Sequence, residues 1–261
     1  MAKTAVNRTA LTQRLRRFFY SHNTGRRQVS EITNQLLDIG KVYLFGGAIR
    51  DIALEGVRNF YSDLDFVVDC VPSDLDTLMQ HLSKTYPVTK NKFGGYRLLC
   101  SKWWLDIWAL SNTWAFKQGV VKLESPQSLL NTTILNWDAI IFDMQTEQLG
   151  YKNGYFQQLQ QGLLDINLVS NPNPIGAYVR VLRCLANKKV DSLSLSLRHY
   201  LNANNYLTHD ELIKYEIQHF SSCYLQEFNW QALEQTQKNN QSTPVKWLGS
   251  EKNLPLLIDD Q

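Results

Sequence analysis

The sequence predicts an α+β protein: a mixed β-sheet head with helices, followed by a small all-α extension. Three observations carry that expectation. Residues 42–109 read as strand, helix, strand and helix, then three more strands. Around residues 63–69 apolar and polar residues alternate with the period of two that a half-buried strand requires. After about Pro172 the apolar spacing changes to that of helices, and no strand pattern returns.

Taken in order, EITNQLLDI at 31–39 reads as a helix stopped by Gly40. Val42–Phe45 is a short apolar strand, 47–54 a helix and 64–69 a second strand. Ser73 reads as the N-cap of a helix to about Tyr86, with Asp74 and Asp76 in its first turn. Strands follow at 88–90, 96–100 and 104–109, the middle pair joined by a hairpin-like connection. Pro174 opens a helix whose stripe is Ile175, Tyr178, Leu182 and Leu185. Further helices are expected at 193–203, 209–227 and 229–238, and a tail with Trp247 and 254–258 closes the chain. The expected division is a basic N-terminal arm at 1–30, a head at 31–170 and a helical extension with tail at 171–261.

Composition excludes several classes. The chain is 44% apolar and 20% charged, an ordinary globular balance. No apolar run reaches the roughly 18 residues that span a bilayer, so no membrane partner is expected. Cys70, Cys100, Cys184 and Cys223 are scattered without a CxxC, which points to free thiols in a reducing, cytoplasmic setting. Charge is uneven. Of 27 Lys and Arg against 24 Asp and Glu, residues 1–30 hold seven bases (Lys3, Arg8, Arg14, Arg16, Arg17, Arg26, Arg27) and no acid, leaving 20 against 24 elsewhere. Three readings fit this segment: an arm for a polyanion such as RNA, a docking helix with Leu11, Leu15 and Phe18 on one face, and a targeting segment.

The chemistry is concentrated in VYLFGGAIRDIALEGVRNFYSDLDFVVDC, residues 42–70. On a strand Asp63 and Asp65 share one face, while Leu64, Phe66 and Val68 face a core. Two charges cannot sit in a second core, and so close together they repel unless a cation lies between them. Mg²⁺ held by one or two carboxylates and by phosphate oxygens meets that condition; a solvated sheet edge is the alternative for such a pair alone. Gly46 and Gly47 lie between a strand and a helix, where bare backbone and a helix N-terminus suit phosphate. Arg50 in the first turn opposes the helix dipole, so it is there to meet a triphosphate or to pair with Asp51. WWLDIWAL places Asp106 on the face of Trp104 and Trp108. Asp106 is read as a metal ligand, as the base for an attacking hydroxyl, or as the partner of a lysine or arginine.

Together YLFGGAIRD and SDLDFVV resemble the GGxxRD…DxD signature of the class II tRNA nucleotidyltransferase and poly(A) polymerase head family. IIFDMQTEQLGYKNGYFQQLQQGLLDIN resembles that family's loop, short helix and strand, and YVRVLRCLA its arginine helix; the resemblance covers about residues 41–187. It implies a nucleotidyltransferase sheet with a two-metal Mg²⁺ site, read here as Asp63 and Asp65, with Asp106 completing it or taking the acceptor proton. It also implies an NTP substrate, with its triphosphate on Gly46, Gly47 and Arg50 and with Arg180 and Arg183 facing the nucleotide. The implied acceptor is an RNA, tRNA-like 3′ end, which agrees with the reading of residues 1–30 as an arm whose Arg14, Arg16, Arg17, Arg26 and Arg27 contact RNA. Two alternatives stand beside it: nucleotidyl transfer to a protein or small molecule in a stress or defence system, and a degenerate head kept for RNA binding. The chain departs from the family where EDxxR opens the arginine helix, since it reads Gly176-Ala177-Tyr178-Val179-Arg180. The family's RRDFTxNA motif is faint in LLNTTILNWDAIIFD, with either Asn136 or Asp138 at the asparagine position.

Overall fold

A computed structural model of the chain describes residues 3–58, 60–238 and 249. The expected tail with Trp247 and residues 254–258 lies outside them. The described residues form two compact units, residues 3–133 with 137–156 and residues 134–136 with 157–238.

The first unit opens with two helices, α1 (Arg8–Phe19) and α2 (Thr24–Leu37). Leu11, Leu15, Phe18 and Phe19 of α1 are buried, and Phe19 meets Phe66 of the sheet edge-on at 6.4 Å. Of the three readings of this segment, the docking helix with Leu11, Leu15 and Phe18 on one face is the one that α1 displays. The apolar stripe outweighs the basic one because burying four large side chains outweighs exposing a few arginines. Arg14 reinforces the docking by donating to the carbonyls of Ile52 and Ala53 at 3.1 and 2.7 Å, near a helix end that needs donors.

Next come β1 (Lys41–Phe45), α3 (Gly47–Glu55), β2 (Leu64–Asp69), α4 (Pro72–Leu82), β3 (Val88–Lys90), β4 (Tyr96–Cys100), β5 (Trp103–Ala109), the short α5 (Trp114–Lys117), β6 (Ile140–Asp143) and β7 (Leu149–Tyr151). Seven strands form one mixed sheet in the order β3-β4-β5-β2-β1-β6-β7. Only β2 and β5 run parallel; the other pairs are antiparallel. The α+β expectation and the β-α-β-α-β-β-β order hold. Leu64, Phe66 and Val68 alternate into the core as expected, with Leu105, Ile107 and Ala109 beside them. The opposite face differs from expectation. Beyond the acids it carries a smaller apolar cluster of Tyr43, Val67, Leu110, Leu129, Leu130 and Ile141. Charge and core share that face because they occupy different ends of the same strands.

The second unit takes up α6 (Tyr155–Gln160) from its third residue, then holds β8 (Leu163–Leu164), α7 (Pro174–Asn187), β9 (Ser192–Leu193), α8 (Leu195–Ala203), α9 (His209–His219) and α10 (Trp230–Lys238). The helix expected over 209–227 ends at His219, followed by a 3₁₀ turn at Leu225–Glu227. Buried Glu216 causes this, since its carboxylate accepts from the Tyr224 and Leu225 amides at 2.8–3.0 Å and draws the chain back.

Candidate active site

The site grows from strand register. Phe45 pairs with Asp65, Asp65 with Asp106, and Asp106 with Arg97. One row across β1, β2, β5 and β4 thus carries the two carboxylates side by side and a guanidinium next to them. Asp63 precedes the first residue of β2. Arg97 joins the acids: its Nη2 lies 2.6 Å from Asp63 Oδ2 and its Nη1 3.3 Å from Asp106 Oδ2. A cleft of about 390 Å³ opens here, with Asp65, Thr89, Lys90, Asn91, Arg97 and Asp106 among its walls. Lys90 is held at its rim by Asp76, which accepts from the lysine at 2.9 Å and from Tyr96 at 2.6 Å.

At the end of β1 the chain turns into α3. Gly46 has φ +73° and ψ −133°, a region that side chains other than glycine's resist. A Cβ on Gly47 would stand 3.3 Å from the Arg50 guanidinium, so this glycine makes room for the arginine. Arg50 is mostly covered and engages Asp51 at 3.0 Å and Asp138 at 2.6 Å. Asp51 is itself buried and accepts from Ser62. Next to them Tyr155 is fully enclosed and donates to the Trp137 carbonyl at 3.0 Å. Burial, and then the negative charge of Asp138, push its phenol well above the usual range, so it stays a neutral donor.

The residues of the expected site thus fall in two places. Asp63, Asp65, Asp106, Gly46, Gly47 and Arg50 all belong to the first unit, around the β1–β2–β5 row. Arg180 and Arg183 belong to α7 of the second. Arg180 is exposed. Arg183 pairs with fully buried Glu216, donates to Ser222 Oγ at 2.9 Å and lies 4.1 Å over the Phe220 ring. Of the five arginines expected to meet RNA, Arg16, Arg17 and Arg27 are exposed, whereas Arg14 and Arg26 are half-buried on backbone carbonyls. Asn136 is committed to Gln158, Leu163 and Asp165, which leaves Asp138 as the residue of that segment that meets Arg50.

Sequence reasoning missed Arg97. It is the only charge in the alternating strand YRLLC, yet its partner follows from the β4–β5 register, which no local pattern prints. Among the described residues no three His, Cys, Asp or Glu side chains converge tightly enough to hold a metal by themselves. The donor set still suits Mg²⁺: paired carboxylates in register, all hard oxygens, which phosphate oxygens and water complete.

A mixed sheet with two acids in register beside a Gly-Gly helix start defines a nucleotidyltransferase-type head. Residues 42–167 match the model of the poly A polymerase head domain. Similar folds occur in a tRNA-processing enzyme in apo form I, with 20% identity over 74% of this chain and 51% of that one, TM-score 0.52. A tRNA-processing enzyme complex gives 22% identity over 73% and 51%, TM-score 0.51. A CCA-adding enzyme in apo form I gives 13% identity over 79% and 50%, TM-score 0.52. At such identities the likeness is one of fold, and the chain spans about half the length of each. Comparison with curated proteins gave no match.

Proposed function

We propose that this protein transfers a nucleoside monophosphate from an NTP to an acceptor hydroxyl, with an RNA 3′ end as acceptor. The observation that carries the reading is the register pair Asp65–Asp106 one residue from the Gly46–Gly47 turn, inside a poly A polymerase head. Asp63, Asp65 and Asp106 are the residues that would hold Mg²⁺, as two ions. Bound there, the metal supplies Lewis-acid stabilisation of phosphate oxygens and eases deprotonation of the acceptor hydroxyl. Gly46 and Gly47 offer bare backbone to the triphosphate at the start of α3. Arg50, braced by Asp51 and Asp138, offsets its charge from a fixed position. Asp106, the register partner of Asp65, would complete the metal site or take the acceptor proton. Arg180 is the exposed cation of α7 that would meet the nucleotide, and Arg16, Arg17 and Arg27 are exposed arginines of the N-terminal helices that would meet RNA, Arg16 by leaving Glu147 and Arg27 by leaving Glu31. Four free cysteines suit a reducing, cytoplasmic setting, and no helix among the described residues is long and apolar enough to cross a membrane.

The test is incubation with each labelled NTP, Mg²⁺ and total cellular RNA. Label should enter RNA 3′ ends, and Asp65→Asn should lower the rate by about a hundredfold or more at an unchanged melting temperature. Label in protein instead would move the acceptor to a polypeptide. A folded Asp65→Asn protein with near wild-type transfer would remove Asp65 from the site.

A further inference from the structure

Arg97 has no part in the mechanism above, yet it lies among the acids that the mechanism uses. We propose that Arg97 is a built-in counter-cation of the acidic site, which holds Asp63 and Asp106 together until a divalent ion displaces it. The proposal rests on the assignment of Asp63, Asp65 and Asp106 as the metal-holding acids. Its placement is set by backbone: Arg97 and Asp106 are register partners on β4 and β5, so the guanidinium starts beside the carboxylates. From there its forked donors reach both Asp63 and Asp106, at 2.6 and 3.3 Å. This neutralises the repulsion that two or three adjacent carboxylates would otherwise suffer without a metal.

The pairs are also exchangeable. Side-chain exposures are 43% for Arg97, 44% for Asp63 and 28% for Asp106, and ion pairs that wet are weak enough to open. A displaced guanidinium has somewhere to remain, because its Cζ already lies 5.0 Å over the Trp104 ring. Metal and arginine therefore compete for the same oxygens. An incoming triphosphate relieves that competition, because it brings both metal and new acceptors for the arginine. Metal and NTP then bind with positive coupling, and each strengthens the other by the same factor.

The test is Mn²⁺ binding to the nucleotide-free protein, read as loss of the free-ion signal in electron paramagnetic resonance. Arg97→Met should bind Mn²⁺ about three- to tenfold more tightly than wild type. Arg97→Lys, which keeps one charge but loses the fork, should fall between them. Circular dichroism melts check that both variants fold. Asp65→Asn serves as the second arm and should bind more weakly. If Asp65→Asn binds as well as wild type, the acidic site itself is misassigned and the proposal falls with it. If Asp65→Asn weakens binding but Arg97→Met leaves it unchanged or weaker, the site stands and the counter-cation role is overturned.

Discussion

At Gly46 a single residue decides whether β1 can feed α3 beside Asp65. Its φ of +73° with ψ of −133° is open to glycine and costly for any L side chain, even though a Cβ would meet only the Asp138 carbonyl, at 4.0 Å. This was legible in the sequence, because a glycine pair between an apolar strand and a helix has few other uses. Asp63 and Asp65 were legible for the same local reason, a period of two. Arg97 was not, because its meaning depends on which residue of β5 it faces. The cysteines add a residue-scale prediction. Burial, then Asp74 and Asp69, push the Cys70 thiol up to about 11, and burial does the same to Cys100. Reaction with a disulfide reagent needs thiolate, and at pH 8 only about a thousandth of such a thiol is ionised. Exposed Cys223 should therefore label first in the native protein. Cys70 should follow slowly and accelerate about tenfold per pH unit until pH nears 11. Mass spectrometry of the labelled peptides checks the order; equal labelling of Cys70 and Cys223 at pH 8 would contradict it.

At the level of elements, strands were read well and helix ends less so. Strand limits in the head come from alternation, which the sequence displays directly, so 64–69 and 96–100 agree with β2 and β4. Helix ends depend on distant partners. The α9 end at His219 is set by Glu216 recruiting Tyr224 and Leu225, and nothing in HDELIKYEIQH announces it. The same carboxylate fixes Arg183, whose side chain is only 14% exposed against none for Glu216. Removing one member of such a pair strands the other charge away from water. Arg183→Met should therefore cost about 3–5 kcal/mol of stability, measurable as a lower midpoint in urea. A stable Arg183→Met protein that has lost NTP binding would instead give this arginine the nucleotide-facing role that the family resemblance implies.

For the whole molecule, the question is what the second unit adds to a head that carries the acids. The formal charge is +3, with the excess bases in residues 1–30, and the chain covers about half the length of the solved structures it matches. The family resemblance implies that nucleotide choice falls to the start of α7, where this chain carries Gly176 and Ala177 in place of the two acids of EDxxR. A side chain at Gly176 would collide with Asn173 Nδ2 and the Tyr215 hydroxyl, each 2.6 Å from the first added carbon. Ala177 is 3% exposed, and Arg183 is tied to Glu216. Arg180 alone of these positions stays exposed and polar. Ordered choice of C and then A requires polar groups that are left unpaired by the wrong base, because only that penalty gives strong discrimination. With one flexible arginine the penalty is small, and pocket shape dominates. The expected product on a tRNA lacking its 3′ end, with all four NTPs present, is therefore a run of one favoured nucleotide or a mixed sequence. Sequencing the extended ends decides it. Faithful C-C-A addition by the wild-type chain would mean that base reading lies elsewhere than at residues 176, 177 and 183, and the burial of those positions would then say nothing about nucleotide choice.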